Sequence, residues 1–284
     1  MKQVKWDEVL FRPSCVGKIM TQGKGDGITE KQLELIDALK ARISLTAIQK
    51  ETLKELEEKR DAPPKLSDTC ISYLKEVYVY QKYGKEPVGG SERSKYTMKG
   101  NLVEHESRMI VSRLDGLPYE KNEDRYTNLF LTGTPDVVFI DRVLDLKSSW
   151  DFSTLLSNEN EKLNPLYFAQ MQCYLALTDI TRGEVDYCLV NMPPEAIHSE
   201  RMRIFYSMNP VTEEDPAFVN AVEKMENNYT FDEIPIEERV LRFPVEYSLD
   251  FMNKVYSRIE DCRSWLIDYD NMRMTNSKKL LTLK

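Results

Sequence analysis

The chain predicts an α/β fold, a small sheet flanked by helices with further helices added at both ends, and three observations carry that prediction. Apolar residues recur at three- and four-residue steps through 29–61, 67–83, 98–114, 165–178 and 247–275. Between them, short runs rich in aliphatic and aromatic residues fall at Leu129–Leu131, Val137–Ile140, Val143–Lys147 and 184–191. The composition, 284 residues with 41% hydrophobic and 30% charged, is that of a globular chain long enough for one substantial core, and no repeat or low-complexity tract divides it. One domain is expected over 1–284: a helical insert at 29–61, a core at 65–192, and an extension at 193–284 that completes the fold.

The elements follow in order. Arg12 to Met20 reads as a short helix entered through Pro13 and Ser14, with Ser14 as N-cap and open amides suited to an anion. Residues 29–61 place Leu33, Ile36, Leu39, Ile43, Ala47, Leu53 and Leu56 on an apolar stripe, as one long helix or a helical hairpin serving as packing surface. Pro63-Pro64 ends it. Ser67 then caps a helix whose Ile71, Leu74, Val77 and Tyr78 face inward, up to Gly84. Another helix, from about Met98 to Leu114, turns Val103, Ile110, Val111 and Leu114 inward, and from there the pattern changes to β.

Composition excludes several kinds of chemistry. No apolar run approaches the ~20 residues of a membrane helix, and MKQVKWDEVL has charges where a signal peptide is apolar, so a cytoplasmic location is expected. Five scattered cysteines without a C-x-x-C pair argue against a disulfide framework, a zinc ribbon or an iron–sulfur cluster. Only His105 and His198 exist, in no ligand spacing, which removes histidine-rich metallohydrolases and histidine-base nucleases, and no G-x-S-x-G elbow is present. The loop Gly23-Lys24-Gly25-Asp26-Gly27 lacks the phosphate-loop order and reads as a turn. A net charge of −8 speaks against a generic nucleic-acid coat but leaves room for a locally positive groove. Lys85, Arg93, Lys95 and Lys99 outnumber Glu86 and Glu92 before the 98–114 helix, as a phosphate-tracking segment or as a solvated loop.

The chemistry lies in the hairpin 136–147. Side chains alternate faces along a strand, so Asp136, Val138 and Ile140 share one face and Val143, Asp145 and Lys147 another. With Asp141-Arg142 as the turn, Ile140 opposes Val143, Val138 opposes Asp145 and Asp136 opposes Lys147, and all six lie on a common face. Val137, Phe139, Leu144 and Leu146 point the other way, into a core. Charges kept in so apolar a sheet need a partner or a metal. Asp136 and Asp145 suit Mg²⁺ or Mn²⁺, with the Leu146 backbone carbonyl as a third donor and Lys147 beside the attacking water. Taken alone, D-x-K also fits a structural Asp–Lys salt bridge on an exposed sheet face.

Pro135-Asp136 followed by Asp145-Leu146-Lys147 resembles the PD-(D/E)XK nuclease superfamily. Two further segments are similar to its lambda-type phage recombination exonucleases, the YqaJ-like viral recombinase branch: Gly100-Asn101-Leu102-Val103-Glu104 looks like the G-x-x-x-E helix, and Gln170-Met171-Gln172-Cys173-Tyr174 like the Q-x-x-x-Y helix. The resemblance implies a restriction-endonuclease-like core and a Mg²⁺-dependent deoxyribonuclease holding one or two ions. Glu104, Asp136, Asp145 and Leu146 would be the metal ligands, Lys147 would activate the water, Gln170 would position the lysine or the phosphate, and Tyr174 would support Gln170 and bind the DNA phosphate. Arg12 and Ser14 match the element that holds a terminal phosphate in that family. The implied substrate is a duplex DNA end, degraded 5′ to 3′ to leave a 3′ single strand for recombination. By the same likeness, the enzyme would be a ring trimer of phage or prophage origin working beside a single-strand annealing protein. Two alternatives are a structure-specific or restriction-type endonuclease on the same core and a catalytically silent DNA-binding scaffold. A CRISPR-adaptation nuclease is disfavoured, because Cys262 stands alone where an iron–sulfur cluster would sit.

Overall fold

The computed structural model describes residues 3–21, 30–42, 44–61, 65–86, 95–159 and 162–282. The expected turn at Gly23–Gly27, the Pro63-Pro64 break and Arg93 of the basic segment lie outside them. The chain divides into two compact units, one of Met1–Val9, Lys18–Glu86 and Val255–Lys284, the other of Leu10–Gly17 and Pro87–Lys254.

The second unit holds a four-stranded mixed sheet in the order β3 (Val137–Val138), β4 (Val143–Ser149), β5 (Arg182–Leu189), β6 (Val240–Glu246), counted among the described residues. β4 and β5 run parallel and the other two pairs antiparallel. A parallel pair needs a crossover, supplied here by α6 (Phe152–Leu156) and α7 (Pro165–Thr178). Strand alternation divides the core. Val143, Val185 and Leu189 join Met171, Tyr174 and Leu175 of α7 on one face, and Val137, Leu144 and Cys188 join Val103, Ile110 and Val111 of α5 (Lys95–Asp115) on the other. Each fully buried aliphatic side chain of this kind contributes roughly 1.5–3 kcal/mol. Pro244 sits in β6, at the edge of the sheet, where its missing N–H costs no central ladder bond.

α7 is unlike an ordinary surface helix: every residue from Ala169 to Leu175 is buried. A helix apolar on all sides belongs inside a fold, and the two glutamines within that run are both bonded. Gln172 donates to the Glu246 carbonyl at 2.7 Å and accepts from the Ser248 N–H at 2.8 Å. A smaller pair, β1 (Tyr126–Thr127) and β2 (Thr132–Gly133), precedes the sheet. Phe11 bridges alongside it, its N–H donating to Phe130 O at 2.9 Å and its carbonyl accepting from Thr132 N–H at 3.0 Å. This unit also contains α8 (Pro194–Met208) and α9 (Pro216–Asn228), joined around Phe218, Val222 and Met225.

The first unit is helical. The 29–61 region is a hairpin of α2 (Glu30–Lys40) and α3 (Ala47–Asp61), tied by a Lys40–Glu57 ion pair at 2.6 Å. α4 (Asp68–Tyr83) starts and stops as expected: the Ser67 hydroxyl accepts from Cys70 N–H, and Gly84 closes the helix at φ 64°. α10 (Leu249–Thr282) brings Asp270 to α4, where its carboxylate accepts from Tyr78 and Lys82, while Trp6 of the N-terminal segment donates to its other oxygen. Cys70 and Cys262, with the other three cysteines, are free thiols.

Three local expectations are corrected. The hairpin register is Val138 with Val143 and Val137 with Leu144, so the turn is the four residues Phe139–Arg142, closed by Phe139 N–H on Arg142 O at 2.9 Å. Ile140 is therefore a turn residue, 91% exposed, and not a strand partner of Val143. The slip is by two residues, which preserves faces: Asp136 now stands across from Asp145 instead of Lys147, still on the same side. Leu129–Leu131 is a tight turn, because the Asn128 side chain accepts from both Phe130 N–H and Leu131 N–H at 2.9 Å. Ser14 is not an N-cap. The helix α1 (Pro13–Ile19) begins at Pro13, whose fixed φ and absent N–H suit a first helical position, and Ser14 lies one residue inside.

Candidate active site

β4 presents Asp145 and Lys147 to the α7 face, and their side chains meet at 2.7 Å. Asp145 is 1% exposed, so the pair is a buried one and not a surface bridge. The other Asp145 oxygen accepts from Gln170 Nε2 at 3.1 Å, and the same amide reaches the Tyr174 hydroxyl at 3.2 Å. One turn of α7 separates Gln170 from Tyr174, which is why a single amide bridges both groups. Asp136, just before β3, accepts from the Leu146 N–H at 2.7 Å through Oδ2. That bond ties the aspartate to the middle of the Asp145-Leu146-Lys147 segment.

The local field is short of positive charge. Burial, and next the Asp145 carboxylate, push Asp136 up to about 7 against the opposing pull of Lys147 and the Leu146 N–H, with Glu104 adding to the rise. Burial by itself would lower the Lys147 pKa, but Asp145 and Asp136 outweigh it and hold it above the ordinary lysine value. Lys147 therefore carries its proton in this state. Its ammonium also lies 4.9 Å from the centre of the Tyr167 ring.

Glu104 is on α5, placed by Ser107 one turn later, whose hydroxyl meets that of Ser148 on β4 at 3.1 Å. The Glu104 carboxylate does not join the two aspartates; it is paired with Lys121 at 2.9 Å. Among the described residues, no three His, Cys, Asp or Glu side chains close on one point. The donor set nevertheless suits a hard divalent cation, which is commonly held by one or two carboxylates and keeps several waters. Asp136 and Asp145 are adjacent, the Asp145 carboxylate opposes the charge on Asp136, and among the described residues Asp136 Oδ1 accepts no hydrogen bond. The Leu146 carbonyl follows Asp145 directly, between it and Lys147.

Arg12 and Ser14 are exposed beside the start of α1. Gly133 connects them to the rest of the site. A Cβ there would stand 2.8 Å from Pro13 Cδ and 3.2 Å from Tyr174 Cε1, so only glycine lets α1, the Thr134-Pro135-Asp136 segment and Tyr174 pack together. His105 is exposed and bonded to Arg108 through Nδ1 at 3.0 Å. Lys85 is exposed, and Lys95 and Lys99 fall in the opening turns of α5. Sequence reasoning passed over Lys121, Tyr167 and the Ser107–Ser148 tie. None has a local signal, because each meets the site through tertiary packing.

A small mixed sheet between helices is the restriction-endonuclease-like architecture expected from the sequence. No protein-family model matches the chain and no curated protein matches its sequence. Solved structures do. A phage-related exonuclease from Haemophilus somnus superposes with a TM-score of 0.60 at 19% identity, over 94% of this chain and 97% of that one. An alkaline exonuclease, LHK-Exo, from Laribacter hongkongensis gives 0.55 at 11% identity, over 97% and 98%. The same enzyme in complex with dAMP gives 0.51 at 12% identity, over 75% and 88%. At these identities the likeness is one of fold.

Proposed function

We propose that the protein is a divalent-metal-dependent deoxyribonuclease that hydrolyses phosphodiester bonds from duplex DNA ends. The observation that carries this reading is the constellation of buried Asp145 and Gln170 with half-buried Asp136 and Lys147 on one face, within a fold shared with exonucleases. Asp136, Asp145 and the Leu146 carbonyl would hold a Mg²⁺ or Mn²⁺ ion, with Glu104 joining once it leaves Lys121. When bound, the cation supplies Lewis acidity and charge compensation at the phosphate. Lys147, protonated, acts by field and not as a base: its ammonium favours hydroxide over water and orients the nucleophile toward phosphorus. Gln170 fixes the Asp145 carboxylate and positions the lysine or the phosphate, and Tyr174 steadies Gln170. Arg12 and Ser14 hold the phosphate of the strand end.

The lambda-type resemblance supports the finer reading: 5′ to 3′ digestion in the bacterial cytoplasm, a 3′ strand left for recombination, a ring of three subunits and a single-strand annealing protein as partner. A linear duplex labelled separately at each end, with magnesium or with chelator and beside a closed circle, tests it. Expected are magnesium-dependent release from the 5′-labelled end, an intact circle, and a loss of about 10²-fold or more in Lys147→Ala and Asp145→Asn. Nucleotide release by Lys147→Ala at the wild-type rate would remove Lys147 from the mechanism, and a cut circle would favour the endonuclease.

A further inference from the structure

Lys121 pairs with Glu104 at the edge of this site and has no task in the hydrolysis proposed. It lies on the connection 116–125 between α5 and β1, a segment held in place at several points. Asn122 N–H donates to the Asp136 carbonyl at 2.9 Å, and its side-chain amide donates to Pro135 O and Asp124 O, each at 3.0 Å. Upstream, Arg108 donates to Tyr119 O at 3.0 Å, and the buried Tyr119 bonds Asp115 and Ser112. The backbone carrying Lys121 is thus fastened directly to the Pro135-Asp136 element. Its ammonium is paired with Glu104, and Asp136 and Glu123 attract it from nearby. The Lys121 side chain is 52% exposed and that of Glu104 30%. So exposed a pair adds little to stability and is easily exchanged.

We propose that Lys121 is a DNA-binding residue, which takes a phosphate oxygen of the bound strand next to the scissile bond when Glu104 turns to the divalent cation. This rests on the nuclease reading. A cation at Asp136 and Asp145 competes with Lys121 for Glu104, and a phosphate brought in with the DNA replaces the carboxylate that the lysine loses. The exchange conserves the lysine's ion pairing, and the tethered loop keeps the ammonium at the rim of the site throughout.

The test is duplex-end binding by fluorescence anisotropy over a range of salt, with calcium in place of magnesium, for the full-length wild type, Lys121→Met and Lys121→Arg. In calcium, Lys121→Met is expected to bind about 5- to 10-fold more weakly, with a log–log salt slope smaller by about one, and Lys121→Arg to recover the slope. In EDTA, where Glu104 keeps the lysine, wild type and Lys121→Met should bind alike within about twofold. With magnesium, KM should rise more than kcat falls. Thermal melting of the three proteins should coincide. An unchanged salt slope in calcium overturns the phosphate contact, and a difference in EDTA as large as in calcium overturns the release from Glu104. A wild type that neither binds nor digests the duplex overturns the nuclease reading and this proposal together; a wild type that does both beside an unaltered Lys121→Met overturns this proposal alone.

Discussion

A single amide organises the buried acid at this site. Gln170 Nε2 contacts both Asp145 and the Tyr174 hydroxyl, and Lys147 takes the other Asp145 oxygen. A carboxylate held from both sides keeps one rotamer, which matters because displacing a ligand by about 1 Å costs as much as 10²-fold in rate. Gln170→Ala leaves Lys147 and both aspartates in the chain but frees Asp145 to rotate. Its kcat/KM on linear duplex should fall about 10- to 100-fold. Unfolding in urea should show a cost of roughly 1–3 kcal/mol from the unpartnered carboxylate oxygen and phenol. A variant that loses stability and keeps full activity would show that the amide is a packing device only. Tyr174 sharpens the contrast: burial, with Asp145 second, raises its pKa, so the phenol stays protonated.

At the scale of elements, what the sequence discloses follows period. Asp136, Asp145 and Lys147 are legible as one face because strand alternation is strict, and a register slip of two residues leaves that conclusion standing. The ends of α4 are legible because Ser67 and Gly84 are local signals. β6 was not, although it completes the sheet: VLRFPVE contains Arg242 and Pro244, and its place is set by pairing with β5, some 60 residues earlier. Lys121 and Tyr167 escaped for the same reason, being long-range neighbours with no periodic mark. Gln172 shows how such long-range order is held. Its amide spans the Glu246 carbonyl and the Ser248 N–H, locking α7 to the connection between β6 and α10. Gln172→Leu fills the volume but leaves both part-buried backbone groups without the amide. Urea denaturation should show a loss of about 1–3 kcal/mol, and hydrogen exchange should quicken at the Ser248 amide. A cost below about 0.5 kcal/mol would mean that water replaces the amide there.

For the whole molecule, stability should depend on pH through a second cluster of charges, on the α5 side of the sheet. Asp186 of β5 is completely buried, and among the described residues neither carboxyl oxygen has a well-formed hydrogen bond, with only the Glu184 carboxyl reaching toward it. Glu184 lies two residues along the same strand, Arg242 faces Asp186 from β6, and Asp115 comes from the end of α5 with Tyr119 bonded to it. Arg242 is 2.7 Å from Asp115 and 3.4 Å from Glu184, so one guanidinium is paired with two carboxyls and faces a third, that of Asp186, across the strand pair. Burial first, then Glu184, push Asp186 up to about 8 from 3.8, with Arg242 pulling the other way and Asp115 adding to the rise. The folded chain therefore binds more protons than the unfolded chain between about pH 4 and pH 8. Stability from this group is fully present below that window and falls as pH rises through it, at up to about 1.4 kcal/mol per unit. Other carboxylates titrate in the acid part of the range, so the difference between wild type and Asp186→Asn isolates the effect. The asparagine variant, uncharged at every pH, should lose most of that slope between pH 5 and pH 8 and should melt at a higher temperature than wild type at pH 8.5. Equal slopes in the two proteins would mean that Asp186 is ionised in the folded chain and that Arg242 alone is enough to hold it.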